Sequence, residues 1–435
     1  SLVTAKLIKE QTGATIVLGG LTYPRPMVEF KKFFDTGYVD HIVRIHGEAA
    51  FLNICYGLEK GNINKLDIQG LLSKEKKDKN LIEPPFFPRR MTDFFRPNFD
   101  GLPLDLYKYS PTGKTKELSS KKVEVLMLPY IFVNGCPNNC IFCPLSDYEE
   151  YGMRNPELVA EDLKYLSKRY NTQYFFFINS NVNPTYDYAK KLVREFKKAN
   201  LNIMWNDCAN FRQIDTKLIK DLRDIGAVKL IYGLECPSDR ILKYIRKGIT
   251  VKRAEKILKI SHEAGIWNEI ELIAGLPYER TEDTQSCVNF IDKNKNYLDY
   301  MYLGKFILKN SLLYKNPKKY GLTNVSNNIS NIYDMGEFTR RYDEINGLKW
   351  DKKYKQINYS FEKVHGKVSS VLNEKDQKYD PTKHMPLLFY LYTVLDSKQE
   401  IRDHFKQCYF DYTRDVPNKT RVGRLKKYLK GYLKY

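Results

Sequence analysis

The stretch Asn134-Gly135-Cys136-Pro137-Asn138-Asn139-Cys140-Ile141-Phe142-Cys143-Pro144 places three cysteines within eight residues. It follows a predicted strand directly, so the three thiols are expected in one tight loop. Thiolates are the preferred ligands of iron-sulfur clusters, and three of them leave one iron of a cubane without a protein ligand. A zinc ion would require a fourth ligand, but His46 and His262 lie about a hundred residues away. The spacing therefore favours a 4Fe-4S cluster held by Cys136, Cys140 and Cys143.

Strands and helices alternate regularly on both sides of this loop, over residues 122–310. Asn155-Pro156-Glu157 gives one of the helices a cap, a first-turn proline and an acidic residue. Six βα units predict a partial parallel (β/α)6 barrel of the TIM type, in which loops at the carboxyl ends of the strands hold the chemistry. The predicted strands are Val123–Leu128, Tyr174–Ile178, Leu201–Trp205, Val228–Tyr232, Glu269–Ile273 and Tyr300–Phe306.

Three further regions flank this core and complete an α/β fold. Residues 1–72 alternate helix and strand, which predicts a parallel, doubly wound Rossmann-like unit that looks incomplete. Residues 73–121 are rich in charge and proline and predict a linker between domains. Residues 311–435 are rich in Tyr and Lys and predict a mainly helical extension. The predicted elements of the first region are a helix at 2–10, strands at 14–18 and 41–45, and helices at 27–35 and 49–58.

The composition is that of a globular, basic protein. The 435 residues include 42% hydrophobic and 14% aromatic residues and carry a formal net charge of +20. The charge either favours an acidic partner or reflects a lysine-rich proteome, and its spread along the chain makes nucleic-acid binding an unlikely prediction. No apolar run approaches the ~20 residues of a membrane span, and no signal-peptide pattern opens the chain. We therefore expect a soluble, cytoplasmic protein.

The cysteine loop and the strand-helix series together resemble the radical S-adenosylmethionine superfamily. The resemblance implies that S-adenosylmethionine binds the open iron of the cluster, and that an electron from a donor such as flavodoxin or ferredoxin cleaves it to a 5′-deoxyadenosyl radical. It also implies that Phe142 packs near the adenine. The fourth-strand phrase Ile231-Tyr232-Gly233-Leu234-Glu235, followed by Ser238, is similar to a region whose carboxylate contacts the cofactor. Glu235 and Ser238 are therefore predicted cofactor contacts.

Two more segments bear on cofactor binding. Ile273-Ala274-Gly275-Leu276-Pro277 resembles the family's fifth-strand turn, where the backbone of Gly275 would approach the adenine. After the second strand, many members carry Gly-Gly-Glu, but this chain has Asn179-Ser180-Asn181. Asn179 and Asn181 could accept the hydrogen bonds of the methionine amino group, or could simply form a turn.

The N-terminal region resembles the second half of the cobalamin-binding domain that precedes many methyltransferases of this superfamily. The resemblance rests on Val17-Leu18-Gly19-Gly20, on 40–49 and on the linker phrase Pro97-Asn98-Phe99-Asp100-Gly101-Leu102. Gly19 and Gly20 would let backbone lie against the nucleotide tail of cobalamin. The Asp-x-His-x-x-Gly loop that supplies a cobalt ligand is missing from the sequence. Two alternatives stay open: the N-terminal domain binds cobalamin, or it keeps the fold of a cobalamin-binding domain without binding the cofactor.

The C-terminal region and the remaining cysteines bear on the substrate. C-terminal extensions of this family often close the barrel over the substrate, which is expected to be a peptide or a small metabolite. The tail at 425–433 predicts a basic amphipathic helix that either docks on its own protein or binds an acidic or membrane surface. Cys208, more than Cys236 or Cys287, could return a hydrogen atom to a substrate radical, or be a small buried hydrophobe.

Two enzymatic hypotheses and one of another class follow. We expect modification of an unactivated C–H bond, by methylation or, alternatively, by peptide epimerisation or another non-methylating reaction. A non-catalytic metal-binding module that binds nucleic acid is the third possibility, and Glu235, Gly275 and the complete βα series argue against it.

Overall fold

The computed structural model describes residues 2–21, 33–44, 47–61, 71–73, 95–108, 124–147, 151–309, 311–326, 340–374 and 381–407. Within these residues no helix is both long enough and apolar enough to cross a bilayer. The predicted amphipathic tail at 425–433 lies outside the described residues, as does most of the predicted helix at 27–35.

The N-terminal unit is a small sheet with flanking helices. Its elements in chain order are α1 (Leu2–Thr12), β1 (Val17–Leu21), β2 (His41–Arg44), α2 (Glu48–Glu59) and β3 (Leu71–Ser73). Strands β1 and β2 are parallel, as predicted, with Leu18 opposite Ile42. The expectation of a purely parallel sheet is wrong at β3, which pairs antiparallel to β2. The antiparallel strand lets Leu72 join Phe34, Val39 and Ile42 in one apolar cluster.

Residues 97–102, part of the predicted linker, pack against the barrel. The first barrel helix, α3 (Pro156–Tyr170), begins at the predicted cap, where the side chain of Asn155 accepts from the backbone N–H of Glu157. Tyr170 at its end donates to the side chain of Asn98 and accepts from the backbone N–H of Phe99. Arg169 forms an ion pair with Asp100 at 3.0 Å. These contacts fix the entry of the chain into the barrel.

Six parallel strands form the main sheet. Their order across the sheet is β11-β10-β9-β8-β7-β4, the order of an open barrel built from successive βα units. A short antiparallel pair, β5 with β6, follows the first strand. The strands are β4 (Met127–Tyr130), β5 (Val133–Asn134), β6 (Gly152–Met153), β7 (Tyr174–Phe177), β8 (Met204–Ala209), β9 (Ala227–Glu235), β10 (Trp267–Ala274) and β11 (Tyr300–Lys305).

Five helices connect or follow these strands after α3. They are α4 (Tyr186–Lys198), α5 (Thr216–Asp224), α6 (Asp239–Tyr244), α7 (Val251–Glu263) and α8 (Thr281–Asn294). Their apolar faces and the outward side chains of the strands form the largest core, which includes Leu163, Leu192, Trp205 and Leu230. The partial barrel predicted from the sequence is confirmed.

The third barrel strand was predicted too early in the chain. The prediction placed it at Leu201–Trp205, but it runs from Met204 to Ala209. The polar residues Asn206 and Asp207 suggested a loop, but both are buried in the strand. The burial of Asp207 is compensated because its carboxylate accepts hydrogen bonds from the side chain of Asn179 and the backbone N–H of Cys208. Cys208 therefore lies inside this strand, near its carboxyl end.

The C-terminal region is mainly helical, as predicted. A short helix α9 (Leu312–Lys315) and an antiparallel pair, β12 (Leu322–Thr323) with β13 (Asp343–Glu344), precede three longer helices. These are α10 (Trp350–Glu374), α11 (Pro381–Val394) and α12 (Lys398–Gln407). Helix α10 packs against α8 and β11, where its residues Val364, Val368 and Val371 join the main core.

Helix α11 covers the amino-terminal end of the barrel. Leu388 and Phe389 pack with Met127, Val228 and Trp267, which are among the first residues of their strands. The sequence led us to expect the extension over the substrate at the opposite end. Among the described residues, the longer C-terminal helices instead bury their apolar surface on the side of the barrel and on its amino-terminal end.

Candidate active site

One cavity opens at the carboxyl ends of the barrel strands. Its volume is about 630 Å³, within the range of small-molecule sites. Residues of the strands β8 to β11 meet residues of the loops after β5, β7 and α6 in its walls. The lining includes Cys136, Cys140, Phe142, Cys143, Asn179, Asn181, Cys208, Arg212, Gly233, Glu235, Lys247, Glu271 and Tyr302.

The cysteine loop is anchored by its apolar middle. Ile141 is fully buried, its backbone N–H donates to the carbonyl of Ile245 at 3.1 Å, and its carbonyl accepts from Leu313 at 2.8 Å. Gly135 opens the loop at φ +67°, a conformation that glycine adopts without strain. The buried Ile141 thus holds the cysteines on both sides of it at the cavity.

The three thiols lie in a largely buried environment. Burial raises the pKa of Cys140, and it raises that of Cys143 to about 11, so metal binding must displace protons. Lys247 acts in the opposite direction on both pKa values because its positive charge favours the thiolates. The side-chain amides of Asn138 and Asn181 point at the sulfur of Cys136, at 3.4 and 3.7 Å.

The three cysteine thiols are a donor set that fits an iron-sulfur cluster. In the described parts of the chain, no three Cys, His, Asp or Glu side chains are grouped as ligands of one metal ion. A zinc ion would bring its ligands within bonding distance of one centre. Three thiolates of a 4Fe-4S cluster each bind a different iron and need no such convergence. The chemistry of the donor set therefore agrees with a cubane.

Asn179 connects the cysteine loop to β8. Its carbonyl oxygen accepts from the backbone N–H groups of Phe132 and Val133, at 2.7 and 2.8 Å, and its amide donates to Asp207 at 2.6 Å. Burial raises the pKa of Asp207 well above its ordinary value. Asn179 lines the cavity, but these protein contacts occupy its amide group.

Asn181 contacts the cysteine loop directly. Besides pointing at Cys136, it accepts a hydrogen bond from the side chain of Asn210 at 3.0 Å. The two asparagines are thus at the cavity as expected, and their contact with a methionine amino group remains a prediction.

Glu235 forms an ion pair with Lys247, with 2.7 Å between its carboxylate and the ammonium group. The carboxylate and the cysteine thiols together raise the pKa of Lys247, against the opposing effect of burial. Glu235 has φ +66°, a strained conformation for a side chain of this size. A Cβ atom on Gly233 would stand 2.7 Å from the Glu235 carboxylate, so only glycine leaves this pair in place.

Two other predicted residues face the same cavity. Phe142 lies in its wall, with the ammonium group of Lys247 6.0 Å from the ring centroid. Cys208 is also in the wall, and burial raises its pKa well above the ordinary value, so it remains a thiol at neutral pH. Cys236 and Cys287 are buried in packed regions.

Four predicted residues are not part of the cavity wall. Ser238 is buried and donates to Asp283 at 2.6 Å. Gly275 has φ +84°, and a Cβ there would meet Ile357 of α10 at 2.4 Å, so its close backbone approach is to that helix. Gly19 and Gly20 lie in β1 of the N-terminal unit. Open space surrounds Gly19.

Sequence reasoning missed several residues of the cavity. Lys247 lies 12 positions after Glu235, and the sequence gives no sign that this lysine pairs with the Glu235 carboxylate. Glu271 and Tyr302 alternate with apolar residues in β10 and β11, a pattern that equally describes a strand with one face in water. Register pairing of Glu271 with both Gly233 and Tyr302 brings the three residues together.

Comparisons with known proteins agree with this geometry. The model of the Radical SAM superfamily matches residues 130–291. An uncharacterized methyltransferase of Pyrococcus horikoshii is 26% identical over 262 residues, which cover 59% of this chain and 53% of that protein. An anaerobic magnesium-protoporphyrin IX monomethyl ester cyclase of Synechocystis sp. is 24% identical, over 73% of this chain and 58% of the relative. The chain thus spans little more than half the length of these relatives.

Solved structures extend the likeness to the whole fold. The radical S-adenosylmethionine methyltransferase TsrM of Kitasatospora setae, solved with a tryptophan substrate, has a TM-score of 0.58 at 15% identity, over 93% of this chain and 83% of TsrM. The cobalamin-dependent enzyme OxsB has a TM-score of 0.57 at 16% identity, over 99% of this chain and 64% of OxsB. Residues 130–291, which include the cysteine loop, thus match the Radical SAM superfamily, and the chain shares its fold with cobalamin-dependent members of that superfamily.

Proposed function

We propose that this chain binds a 4Fe-4S cluster through Cys136, Cys140 and Cys143, cleaves S-adenosylmethionine reductively, and methylates an unactivated carbon of a small molecule or peptide. The observation that carries the proposal is the shared cavity, which the three thiols and the Glu235–Lys247 pair line together at the carboxyl ends of the strands. Loops at this end of such barrels hold the catalytic groups.

The cluster and S-adenosylmethionine, when bound, supply a carbon-centred radical that abstracts a hydrogen atom. The protein's own residues bind and orient the reactants. Glu235 would accept hydrogen bonds from the nucleoside part of the cofactor, and Lys247 holds that carboxylate in place. Phe142 would contact the adenine ring. A substrate bound in the cavity would exclude water from the reacting atoms, which would protect a reactive radical from side reactions.

Methylation is favoured over epimerisation by the relatives and by the N-terminal unit. Both the Pyrococcus protein and TsrM are described as methyltransferases. Cobalamin would be the methyl carrier, held against the backbone at Gly19, where the structure leaves open space. The side chain of His41 is buried in β2, and His46 lies outside the described residues. We therefore propose that any cobalamin is bound without a ligand from His41.

A non-methylating reaction is the second candidate, and Cys208 is the observation that favours it. Its thiol faces the cavity and stays protonated, so it could return a hydrogen atom to a substrate radical. Redox-neutral epimerisation requires such a donor.

The electron donor is proposed to be an acidic protein such as a flavodoxin or ferredoxin. The thiol of Cys140 lies 3.7 Å from the backbone carbonyl of Arg246, whose side chain is exposed. Arg212 and Arg246 share a surface depression with residues 137–139 of the cysteine loop. This basic surface is complementary to an acidic carrier. A cytoplasmic location agrees with a reduced cysteine triplet.

Product analysis separates the two reactions. Anaerobically reconstituted protein with dithionite, cobalamin and candidate substrates is expected to form 5′-deoxyadenosine and S-adenosylhomocysteine together, with one added methyl mass. Formation of 5′-deoxyadenosine without S-adenosylhomocysteine would contradict methylation. Incorporation of one solvent deuteron that is lost in Cys208→Ala would establish the second candidate instead.

A further inference from the structure

The inner wall of the cavity carries a carboxylate that the proposed mechanism does not use. Glu271 of β10 pairs in register with Gly233 of β9 and with Tyr302 of β11. Paired residues of parallel strands point to the same face of a sheet, and all three line the cavity. Glu235 is two residues further along β9 than Gly233. A register shift follows Gly233, so Glu235 pairs with Leu272, the residue directly after Glu271.

The charge of Glu271 has no direct counterion in the described residues. The two lysines that act on its pKa each form an ion pair with another carboxylate: Lys247 pairs with Glu235 at 2.7 Å, and Lys229 pairs with Glu269 at 2.5 Å. Burial by the cavity walls, together with the negative charges of Glu235 and Glu269, raises the pKa of Glu271 to about 7. The Glu271 carboxylate is thus without an ion-pair partner among the described residues. Its side chain is exposed in the cavity, where a ligand can reach it.

Tyr302 places an aromatic ring beside this carboxylate. Its side chain is 57% exposed although it belongs to a barrel strand, because it faces the open cavity. Lys305, on the same strand, contacts Asn358 and lies 4.9 Å from the ring of Phe361 on α10. It is therefore directed toward that helix. An ionised carboxylate next to an aromatic face is a favourable environment for an organic cation.

We propose that Glu271 and Tyr302 form a recognition site for a protonated nitrogen of the substrate, such as a primary ammonium group. The proposal rests on the proposed function, because it assigns the substrate to the cavity that holds the cysteine loop. It narrows the substrate class to molecules with a basic nitrogen. The ammonium group would donate hydrogen bonds to Glu271 and lie against the ring of Tyr302, which fixes the orientation of the carbon that reacts.

Matched probes test the site without knowledge of the true substrate. The reconstituted protein with bound S-adenosylmethionine is titrated with benzylamine and with benzyl alcohol, and binding is followed by ligand-observed NMR. Benzylamine is expected to bind at least about tenfold more tightly, because only the cation forms a charge-assisted hydrogen bond. Glu271→Gln should remove this preference, and Tyr302→Leu should reduce it. Glu282→Gln, an exposed position on α8, is the matched control and should leave it unchanged.

The pH dependence of benzylamine binding is a second, independent test of this site. Benzylamine binding should tighten as Glu271 ionises between about pH 6 and pH 8, and this dependence should disappear in Glu271→Gln. The charged groups that act on the pKa of Glu271 are Glu235, Glu269, Lys247 and Lys229. Cys208 and Tyr302 line the same cavity, as does Lys305, whose ammonium group contacts α10.

Three results would overturn the proposal: equal binding of the two probes, an amine preference that survives Glu271→Gln, or a Glu271→Gln variant that loses affinity only for S-adenosylmethionine. The last result would assign the carboxylate to the cofactor. Cleavage of S-adenosylmethionine is measured separately as 5′-deoxyadenosine formation. A protein that selects the amine but cannot form this product would contradict the proposed function alone.

Discussion

At the cavity, we expect Glu235 to contact the cofactor and Lys247 to hold the Glu235 carboxylate in position. Glu235→Gln is expected to weaken S-adenosylmethionine binding by at least about tenfold while iron content stays unchanged, because a charged acceptor is lost and the cysteines are intact. Lys247→Met should have a similar effect, since it leaves Glu235 without its partner. The loss of binding free energy in the double variant should be smaller than the sum of the losses in the two single variants. Calorimetry measures the affinities, and Lys164→Met on the exposed face of α3 is the control.

Asn179 is expected to act on stability more than on affinity. Asn179→Ala removes the acceptor of two buried backbone N–H groups and the donor to Asp207, so the free energy of unfolding should fall by about 1–3 kcal/mol or more. Urea denaturation of the metal-free protein measures this change. A variant with unchanged stability that no longer binds S-adenosylmethionine would instead make Asn179 a direct cofactor ligand.

Functional residues could be predicted from the sequence where they lie close together along the chain. The three cysteines lie within eight residues, so their spacing alone was enough to propose them as cluster ligands. The partners Asn179 and Asp207 are separated by 28 positions, and their contact follows from the pairing of β7 with β8. Glu271 could not be recognised because an acidic residue in a strand most often faces water.

Elements were predictable from periodicity, but their packing partners were not. The six barrel strands were predicted, the third of them too early in the chain, because the periodicity of apolar residues indicates which face is buried. The extension was predicted only as mainly helical. The pattern does not report what covers that face. The sequence did not indicate that helix α11 packs against the amino-terminal end of the barrel, where Leu388 is fully buried.

The position of α11 leads to a prediction that separates stability from binding. Leu388→Ala should lower the free energy of unfolding by about 2–5 kcal/mol, because it opens a cavity in the cluster with Val228 and Trp267. S-adenosylmethionine affinity should stay unchanged, since the cofactor cavity is at the other end of the strands. Val394→Ala, at an exposed position of the same helix, is the control. A Leu388→Ala variant that stays fully stable would contradict this packing.

At the scale of the whole molecule, the formal net charge of +20 is expected to matter where the cluster approaches the surface. Association with an acidic flavodoxin should weaken as salt concentration rises, and Arg246→Gln combined with Lys243→Gln should weaken it further. Cluster reduction by dithionite, a small reductant, should be unaffected by these variants. Stopped-flow absorbance compares the two reductants, with Lys164→Gln as the control. Equal effects on both would show that the arginine acts on the cluster and not on docking.

The central claim is that Cys136, Cys140 and Cys143 hold a cluster that cleaves S-adenosylmethionine, and one measurement tests it most directly. The protein is reconstituted anaerobically with iron and sulfide, reduced with dithionite and given S-adenosylmethionine, and 5′-deoxyadenosine is quantified by mass spectrometry. The account predicts that this product forms, with about four irons per chain. Each of Cys136→Ala, Cys140→Ala and Cys143→Ala should abolish it, whereas Cys55→Ala, at an exposed cysteine, should not. Product formation that persists in all three loop variants would contradict the account.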